Sequence, residues 1–557
     1  MKNKVSISDE TNIKTIEHKS KKNITLGAIV GYLAIFVNIG SGLLLTPWII
    51  DTVGEANYGL YGLATSVIAL FLLDFGLTTT TNTYLAKLRA AGDKNGVERF
   101  LAAIFKIYLT IDVVFVLVIA GLYFASPYLY QNTYTPEQLK TLQYLIIIVG
   151  GYSLVSFPST VFTGVISTYE KFGINKLFDL VQKLIYLGLT IAALNFDWGI
   201  IGITIINAGS GIVAVISRFL YMRFYLNVHL NIKLGITKEE RKSVFAFSIW
   251  SLIFAICSRL IFNVTPSILG IVSDSTQVAL FTVVMTIEGY IYTFGAMTSS
   301  FFLAKVARTD SNGTEEEKRE HLQQLASKIG KLQFIVITLI FFGFVIVGQE
   351  FMTIWMNGTE KYQTVYWCII ALCAYDIFYI PQVVFDSAMY THGHIRPLAI
   401  NAIVKATINL GLSFWLSHEY GAVGASIAIM VARWIELVLN NYVYKRYLKI
   451  SLLRFFKSIY VRGVIALAIS AGIGLLMHFY LPVSSVKIKF LVNGFTFVLI
   501  HIICTLFITF TKDERQYYLG VLFELLHIKK RKTKTDEAVE ESSTEENEEQ
   551  DGTKEEN

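Results

Sequence analysis

Charge is scarce in this chain. Asp, Glu, Lys and Arg make up only 16% of its 557 residues, against 54% apolar ones, a balance that points to lipid rather than water as the main solvent. Cysteine is also rare. Cys257, Cys368, Cys373 and Cys504 fall inside apolar runs with no C-x-x-C spacing and no histidine cluster nearby, so neither a metal site nor a disulfide framework is expected. Long outer loops are missing too: the largest, around 126–140 and 348–364, hold fewer than about 20 residues, which leaves no room for a soluble catalytic domain. A G-x-x-x-x-G-K-[ST] phosphate loop, an H-E-x-x-H zinc motif and a G-x-S-x-G elbow are absent. The expectation is a protein that is not an enzyme, holds no cofactor and binds no nucleic acid. Any transport it performs must draw on an ion gradient, the membrane potential or the gradient of the substrate itself.

What is present is apolar length. Fourteen hydrophobic runs can be drawn, near 25–50, 58–84, 100–124, 142–168, 177–194, 199–221, 243–269, 278–301, 331–348, 365–390, 397–416, 421–442, 459–481 and 490–510. They predict an all-α polytopic membrane protein with 14 transmembrane helices. A repeat organises them. Thr46-Pro47, Gly59 to Tyr61, Phe75-Gly76 and Leu85 to Lys87 recur as Thr265-Pro266, Ala279 to Phe281, Phe294-Gly295 and Leu303 to Lys305. Pro158 to Phe162 likewise matches Pro381 to Phe385, and Asp197 to Gly202 matches Glu419 to Gly424. Duplicated units of this kind build many carriers, so two six-helix lobes followed by two further helices are expected.

The predicted division is a cytoplasmic N-terminal segment 1–24, a first lobe 25–221, a linker 222–242, a second lobe 243–442, a basic segment 443–458, a last pair of spans 459–510 and a tail 511–557. Lys and Arg crowd alternate loops (Lys87 to Arg99, Arg223 to Lys242, Lys305 to Lys331, Lys445 to Arg462). The other side carries only Lys140, Lys361, Lys487 and Lys489. The positive-inside rule therefore places both termini in the cytoplasm of a multi-pass protein, and no small-residue cleavage site follows the polar N-terminus. Residues 444–458 mix Leu448, Ile450, Leu453, Phe455 and Phe456 with basic side chains, which fits either an amphipathic interfacial helix or a solvated loop. Beyond the last span, Lys529 to Lys534 would meet anionic lipid, and the Glu-rich remainder has almost nothing to bury and should be disordered.

The informative residues are ionisable ones inside spans, each costing about 2.5–3.5 kcal/mol at a helix centre unless it is paired or wet. The second half carries Arg259, Glu288, Asp376, Asp386, Lys405, Arg433 and Glu436, and Asp74 is the main one in the first half. Arg259 lies too deep to snorkel, with Asn263 one turn later on its face. Two readings stand: a phosphate anchor, for which the guanidinium fork is suited, or a salt bridge to Glu288 or Asp376. Lys405 has no acidic residue three or four positions away and leans toward substrate. Arg433 has Glu436 at i+3 and reads as a structural ion pair. Asp74, Glu288 and Asp376 could couple to a cation or simply neutralise the basic residues, while Asp179 with Lys183, and Asp386, should face water near the inner surface. Pro47 with Pro266, and Pro158 with Pro381, break helices at matched places, as hinges or as packing kinks. Tyr290, Tyr375 and Tyr379, near mid-span, offer flat faces and hydroxyls for a sugar ring, although most aromatics belong to interfacial belts and packing.

The opening span from Gly27 to Pro47, then Val53-Gly54, Tyr58 to Tyr61, Leu73 to Leu77 and a basic loop with Gly92-Asp93, resembles the polysaccharide-transporter (Wzx-type) oligosaccharide flippases of the multidrug, oligosaccharidyl-lipid and polysaccharide exporter superfamily. That resemblance implies a carrier in the bacterial cytoplasmic membrane. It would move an undecaprenyl-diphosphate-linked oligosaccharide between leaflets for surface polysaccharide, with other assembly proteins as possible partners. In that family basic residues of a central cavity are thought to meet the diphosphate, which would suit Arg259 and Lys405. Relatives often have an acidic residue where Ser267 stands, so a cation role at that position is in doubt here. The rivals are a cation-coupled small-molecule exporter, which would prefer an acidic, aromatic cavity, and a lipid II flippase. From other classes come a membrane polymerase or glycosyltransferase and a scaffold that has lost transport.

Overall fold

The computed structural model describes residues 7–71, 85, 88–89, 92–169, 171–231, 249–296, 314–358, 360–480 and 483–525. Asp74, one of the expected coupling residues, lies outside them. Helix α1 (Ile7–Val53) turns into α2 (Glu55–Phe71) at Gly54, whose φ of 84° a side chain would strain. Helix α3 (Lys94–Tyr130) starts where the Asp93 carboxylate accepts the Gly96 N–H, and α4 (Pro136–Thr168) starts at a capping box of Thr135 with Gln138. Helices α5 (Phe172–Asn195) and α6 (Gly199–Leu220) form the tight hairpin expected from their short joint. Helices α7 (Ile249–Val272) and α8 (Ser275–Ala296) follow as a second close pair.

Helix α9 (Glu315–Trp355) has 41 residues, about 60 Å at 1.5 Å per residue, twice the hydrocarbon thickness. Much of the expected 305–331 loop is therefore helix. Its first turn is capped by Thr314 and Glu317, and the hydrogen bonds from Thr314 hold the Glu317 carboxyl below the usual range. Helix α10 (Lys361–Cys373), the one-turn α11 (Asp376–Tyr379), a 3₁₀ turn at Ile380–Gln382 and α12 (Val383–Thr391) make one broken rod. Pro381 sits in the break, as a residue without an N–H should. By contrast Pro47, Pro158 and Pro266 lie inside continuous helices.

Helix α13 (Ile395–Tyr447) runs for 53 residues but folds at Gly421, which leaves the helical region with φ 54° and ψ −131°. There the Ala422 N–H donates to Gln277 Oε1 at 3.0 Å, so α8 supplies the cap for the second segment of α13. Helix α14 (Leu452–Tyr480), α15 (Val486–Cys504) and α16 (Lys512–Leu525) complete the chain. The basic segment at 443–458 is not a separate interfacial helix. It is the end of α13, a turn in which Leu448 and Ile450 are buried, and the start of α14, where Phe455 is fully buried against Phe385. Among the described residues eleven helices are long and apolar enough to cross a membrane, so the chain is an all-helical, multi-pass membrane protein.

Helix α2 packs on α7 and α8, α7 packs along α13, α1 runs beside α5, and α14 and α15 clasp α9. Glycine permits the closest of these approaches. A Cβ on Gly59 would lie 1.9 Å from the Ser275 carbonyl oxygen, and one on Gly62 would lie 2.3 Å from the Thr282 hydroxyl. Small residues at such crossings let backbones touch where lipid offers no hydrophobic drive to associate.

Candidate functional site

Helix α7 has two working faces. Phe254, Ser258 and Ile261, at helical spacing, look into a partly open chamber lined otherwise by second-half helices. Arg259, Asn263, Ser267 and Gly270 lie along the opposite side, and their surroundings change steadily with depth. Gly270 is buried against Tyr134, Tyr130 and Leu63 of the first half, and Ser267 reaches the Tyr130 hydroxyl. Asn263 is partly covered and donates to the Arg259 carbonyl at 3.2 Å, while Arg259 itself is exposed. The first half thus touches this stripe near Val272, and the exposed Arg259 lies about 20 Å deeper along the helix. The described residues join the two halves at the end where α1 meets α2, the closed end. The salt-bridge reading of Arg259 does not hold, because Glu288 and Asp376 line the chamber on the other side of α7.

The closed end is built from contacts between the first half and the second. Asn357 donates to Asp51 at 2.9 Å, Lys361 pairs with Glu55, and the Tyr362 hydroxyl donates to the same carboxylate at 3.3 Å. Trp355 Nε1 donates to the Leu43 carbonyl, Thr133 to the Gly270 carbonyl at 2.9 Å, and Gln138 to the Ser275 hydroxyl at 3.3 Å. Tyr290, expected near sugar, instead fills this seam: its hydroxyl occupies the place a Cβ on Gly42 of α1 would take.

The chamber holds about 430 Å³. Helix α8 lines it with Met285, Glu288, Gly289, Tyr292 and Thr293, the broken rod with Tyr375, Asp376, Tyr379 and Asp386, and α13 with Lys405, Arg433, Glu436 and Asn440. The sequence singled out Glu288, Asp376, Lys405, Arg433 and Glu436 as charges inside spans, but not that they gather here with Asp386 or how they pair. Arg433 Nη1 meets Glu288 Oε1 at 2.7 Å, and Lys405 Nζ meets Glu436 Oε2 at 2.6 Å. The local Arg433–Glu436 pair is therefore replaced by two cross-connections. Spacing of three residues puts both side chains on one face, but that face looks at Glu288 on α8 and at Lys405 on the other segment of α13, and each charge takes the partner directly opposite. The guanidinium also lies 5.7 Å from the centroid of the Tyr375 ring. Tyr375 and Tyr379 stack with centroids 5.1 Å apart.

Two carboxylates remain. Asp376 is 1% exposed, and its Oδ2 is buried without a hydrogen-bond partner. Asp386 does not simply face water as expected: it accepts from Tyr444 at 2.7 Å and Tyr379 at 3.2 Å. Asp179 pairs with Arg218 and Lys176, and Lys183 lies over the Tyr186 ring. Sequence reading passed over several buried polar residues: Asp112 in α3, Glu350 between His478 and Lys489 at the α9–α14–α15 junction, and His501 beside Ser470. The available signal was one ionisable or imidazole side chain within, or just beyond, an apolar run.

A family model described as polysaccharide biosynthesis protein matches residues 24–300. A search of curated proteins returned no match. Among solved structures the chain is similar to the lipid II flippase MurJ in an inward closed conformation (14% identity, 89% of this chain and 100% of that one, TM-score 0.66). It is similar also to an inward-facing multidrug resistance MATE family transporter of the MOP superfamily (15% identity, 76% of this chain and 98% of that one, TM-score 0.60). A third likeness is to a MOP superfamily transporter from Pyrococcus furiosus, described as having a binding pocket of reversed polarity (14% identity, 77% of this chain and 96% of that one, TM-score 0.53). At such identities these likenesses establish a shared fold.

Proposed function

The chain belongs to the polysaccharide biosynthesis protein family, and from that premise we propose that it is a flippase that moves an undecaprenyl-diphosphate-linked oligosaccharide from the inner to the outer leaflet of the bacterial cytoplasmic membrane by alternating access. The observation that carries this reading is the stripe on α7, buried at Gly270 and exposed at Arg259. A polyprenyl tail can stay in lipid throughout the crossing, whereas a diphosphate sugar head needs a wet passage with a cation at its middle. Arg259 supplies that cation as a fork matched to phosphate oxygens. On this reading the α1–α2 end lies outside, as the basic-loop asymmetry suggests, a wedge between the halves opens inward, and the Asp51, Glu55, Asn357 and Lys361 contacts form the outer seal.

On this account two lobes rock about the cleft, and the seal breaks as the wedge closes. Pro381 and Gly421 mark backbone breaks beside the chamber where the second lobe can bend. A second reading has one observation in its favour: an acidic, aromatic chamber suits a cation-coupled exporter of small amphiphilic cations, with Glu288 and Asp376 as coupling groups. Reconstituted vesicles separate the two. A fluorescent polyprenyl-diphosphate oligosaccharide in the accessible leaflet should disappear from it in protein-containing vesicles, whereas a lipophilic cation should not be moved. Joining the seal by cysteines in place of Asp51 and Asn357 should stop that movement under oxidation and restore it under reduction. Unimpeded movement with the seal locked would contradict alternating access, and movement of the lipophilic cation alone would favour the exporter.

A further inference from the structure

The chamber is lined by more carboxyl side chains than basic ones. Glu288, Asp376, Asp386 and Glu436 face Lys405 and Arg433, and both cations are already taken by Glu436 and Glu288. Resting on the lipid-linked oligosaccharide reading above, we propose that this chamber receives a sugar bearing a free, protonated amino group, so that the transported head is zwitterionic: phosphate on the cleft face of α7, ammonium on its chamber face.

Burying a carboxylate oxygen without a partner costs free energy that a bound cation would return. Asp376 lines the chamber, and its Oδ2 is such an oxygen. Asp386 is held by two tyrosine hydroxyls that donate to it, which keeps its carboxylate an acceptor aimed at the same space. An ammonium presents three donors and no acceptor, the complement of these two groups. The stacked Tyr375 and Tyr379 supply an apolar face of the kind a pyranose ring packs on. About 430 Å³ falls in the usual range of small-molecule sites, roughly 300–1,000 Å³, and far exceeds what a bare ion requires. A metal ion would need several oxygen ligands converging within about 2.6 Å, and among the described residues no group of three or more His, Cys, Asp or Glu side chains is placed to hold one.

The two charges of the substrate also fall at a sensible separation. Ser258 faces the chamber and its chain neighbour Arg259 is exposed on the other side of α7, so only the thickness of one helix, about 10 Å, stands between them. A diphosphate held by Arg259 would leave the first sugars to bend around α7 past Ser258 and Phe254. The acidic chamber then selects among lipid-linked sugars after the phosphate has been caught.

The experiment uses the full chain in lipid nanodiscs and two synthetic polyprenyl-diphosphate disaccharides that differ in one group, a free amine against its N-acetyl form. The amine probe should bind about ten-fold or more tightly, the worth of one charge-assisted hydrogen bond. Asp376→Asn should erase that preference by weakening the amine probe alone, and Arg259→Gln should weaken both probes alike. Equal binding of both probes by the wild-type protein overturns the amino-sugar assignment while leaving the flippase reading standing. The assignment fails in the same way if sodium or protons, rather than the amine, set the Asp376 dependence. Binding of neither probe overturns both readings. The wild-type comparison decides the question even if Asp376→Asn fails to fold.

Discussion

Replacing Arg259 by glutamine is expected to slow movement of a lipid-linked diphosphate oligosaccharide by about a hundred-fold, while leaving the thermal stability of the protein nearly unchanged. The separation of the two effects is what makes the result informative. Arg259 is exposed to the cleft, so losing it should cost folding no more than a typical surface change, within roughly 0.5 kcal/mol. Two charge-assisted hydrogen bonds to phosphate at the lower end of their range, about 1.5 kcal/mol each, account for the expected loss of transport. Lysine should recover part of the rate, because it restores the charge but not the fork. Flipping measured in vesicles checks this, and a glutamine variant running at the wild-type rate would remove Arg259 from the mechanism.

Removing one partner of the Arg433–Glu288 pair should act the other way, on stability first. Both side chains are nearly inaccessible, at 5% and 3% exposed, and their 2.7 Å contact ties α13 to α8. Removing the cation leaves Glu288 buried beside the Asp376 carboxyl at a cost of about 3–5 kcal/mol, so Arg433→Met should unfold at markedly lower temperature in detergent, and Glu288→Leu should be milder because Asp376 still faces the guanidinium. The double variant should regain most of the loss, since an apolar pair of similar volume can replace a buried ion pair at little net cost. Single variants as stable as wild type would mean that water reaches the pair and screens it.

Much of the architecture was legible because insertion in lipid leaves few options: backbone groups must bond within the chain, so long apolar runs become helices. The α5–α6 hairpin follows from that, because only a short joint separates two apolar runs. What the runs do not encode is how helices face one another. The gathering of Glu288, Asp376, Lys405, Arg433 and Glu436 was readable as an excess of charge in the second half, yet the pairing was not, because it depends on the fold of α13 at Gly421 and on the register of α8. Arg259 and Lys405 were expected together in one positively biased passage. They lie on opposite sides of α7, since 100° per residue along the helix sends Ser258 to one space and Arg259 to the other. The acidic balance of the chamber was likewise hidden until Asp386 was seen to join it, and Glu350 was assigned to a loop because α9 outlasts its apolar stretch.

Everything rests on a water-filled wedge that opens to one side only. The most direct measurement places a cysteine at position 259 in a chain whose Cys257, Cys368, Cys373 and Cys504 have been replaced, and asks from which side a membrane-impermeant maleimide reaches it. With the outer seal locked by the Asp51 and Asn357 cysteine pair, labelling should be rapid from the cytoplasmic side and absent from the outer side. Labelling from outside under that lock, or from neither side because position 259 faces lipid, would contradict the account.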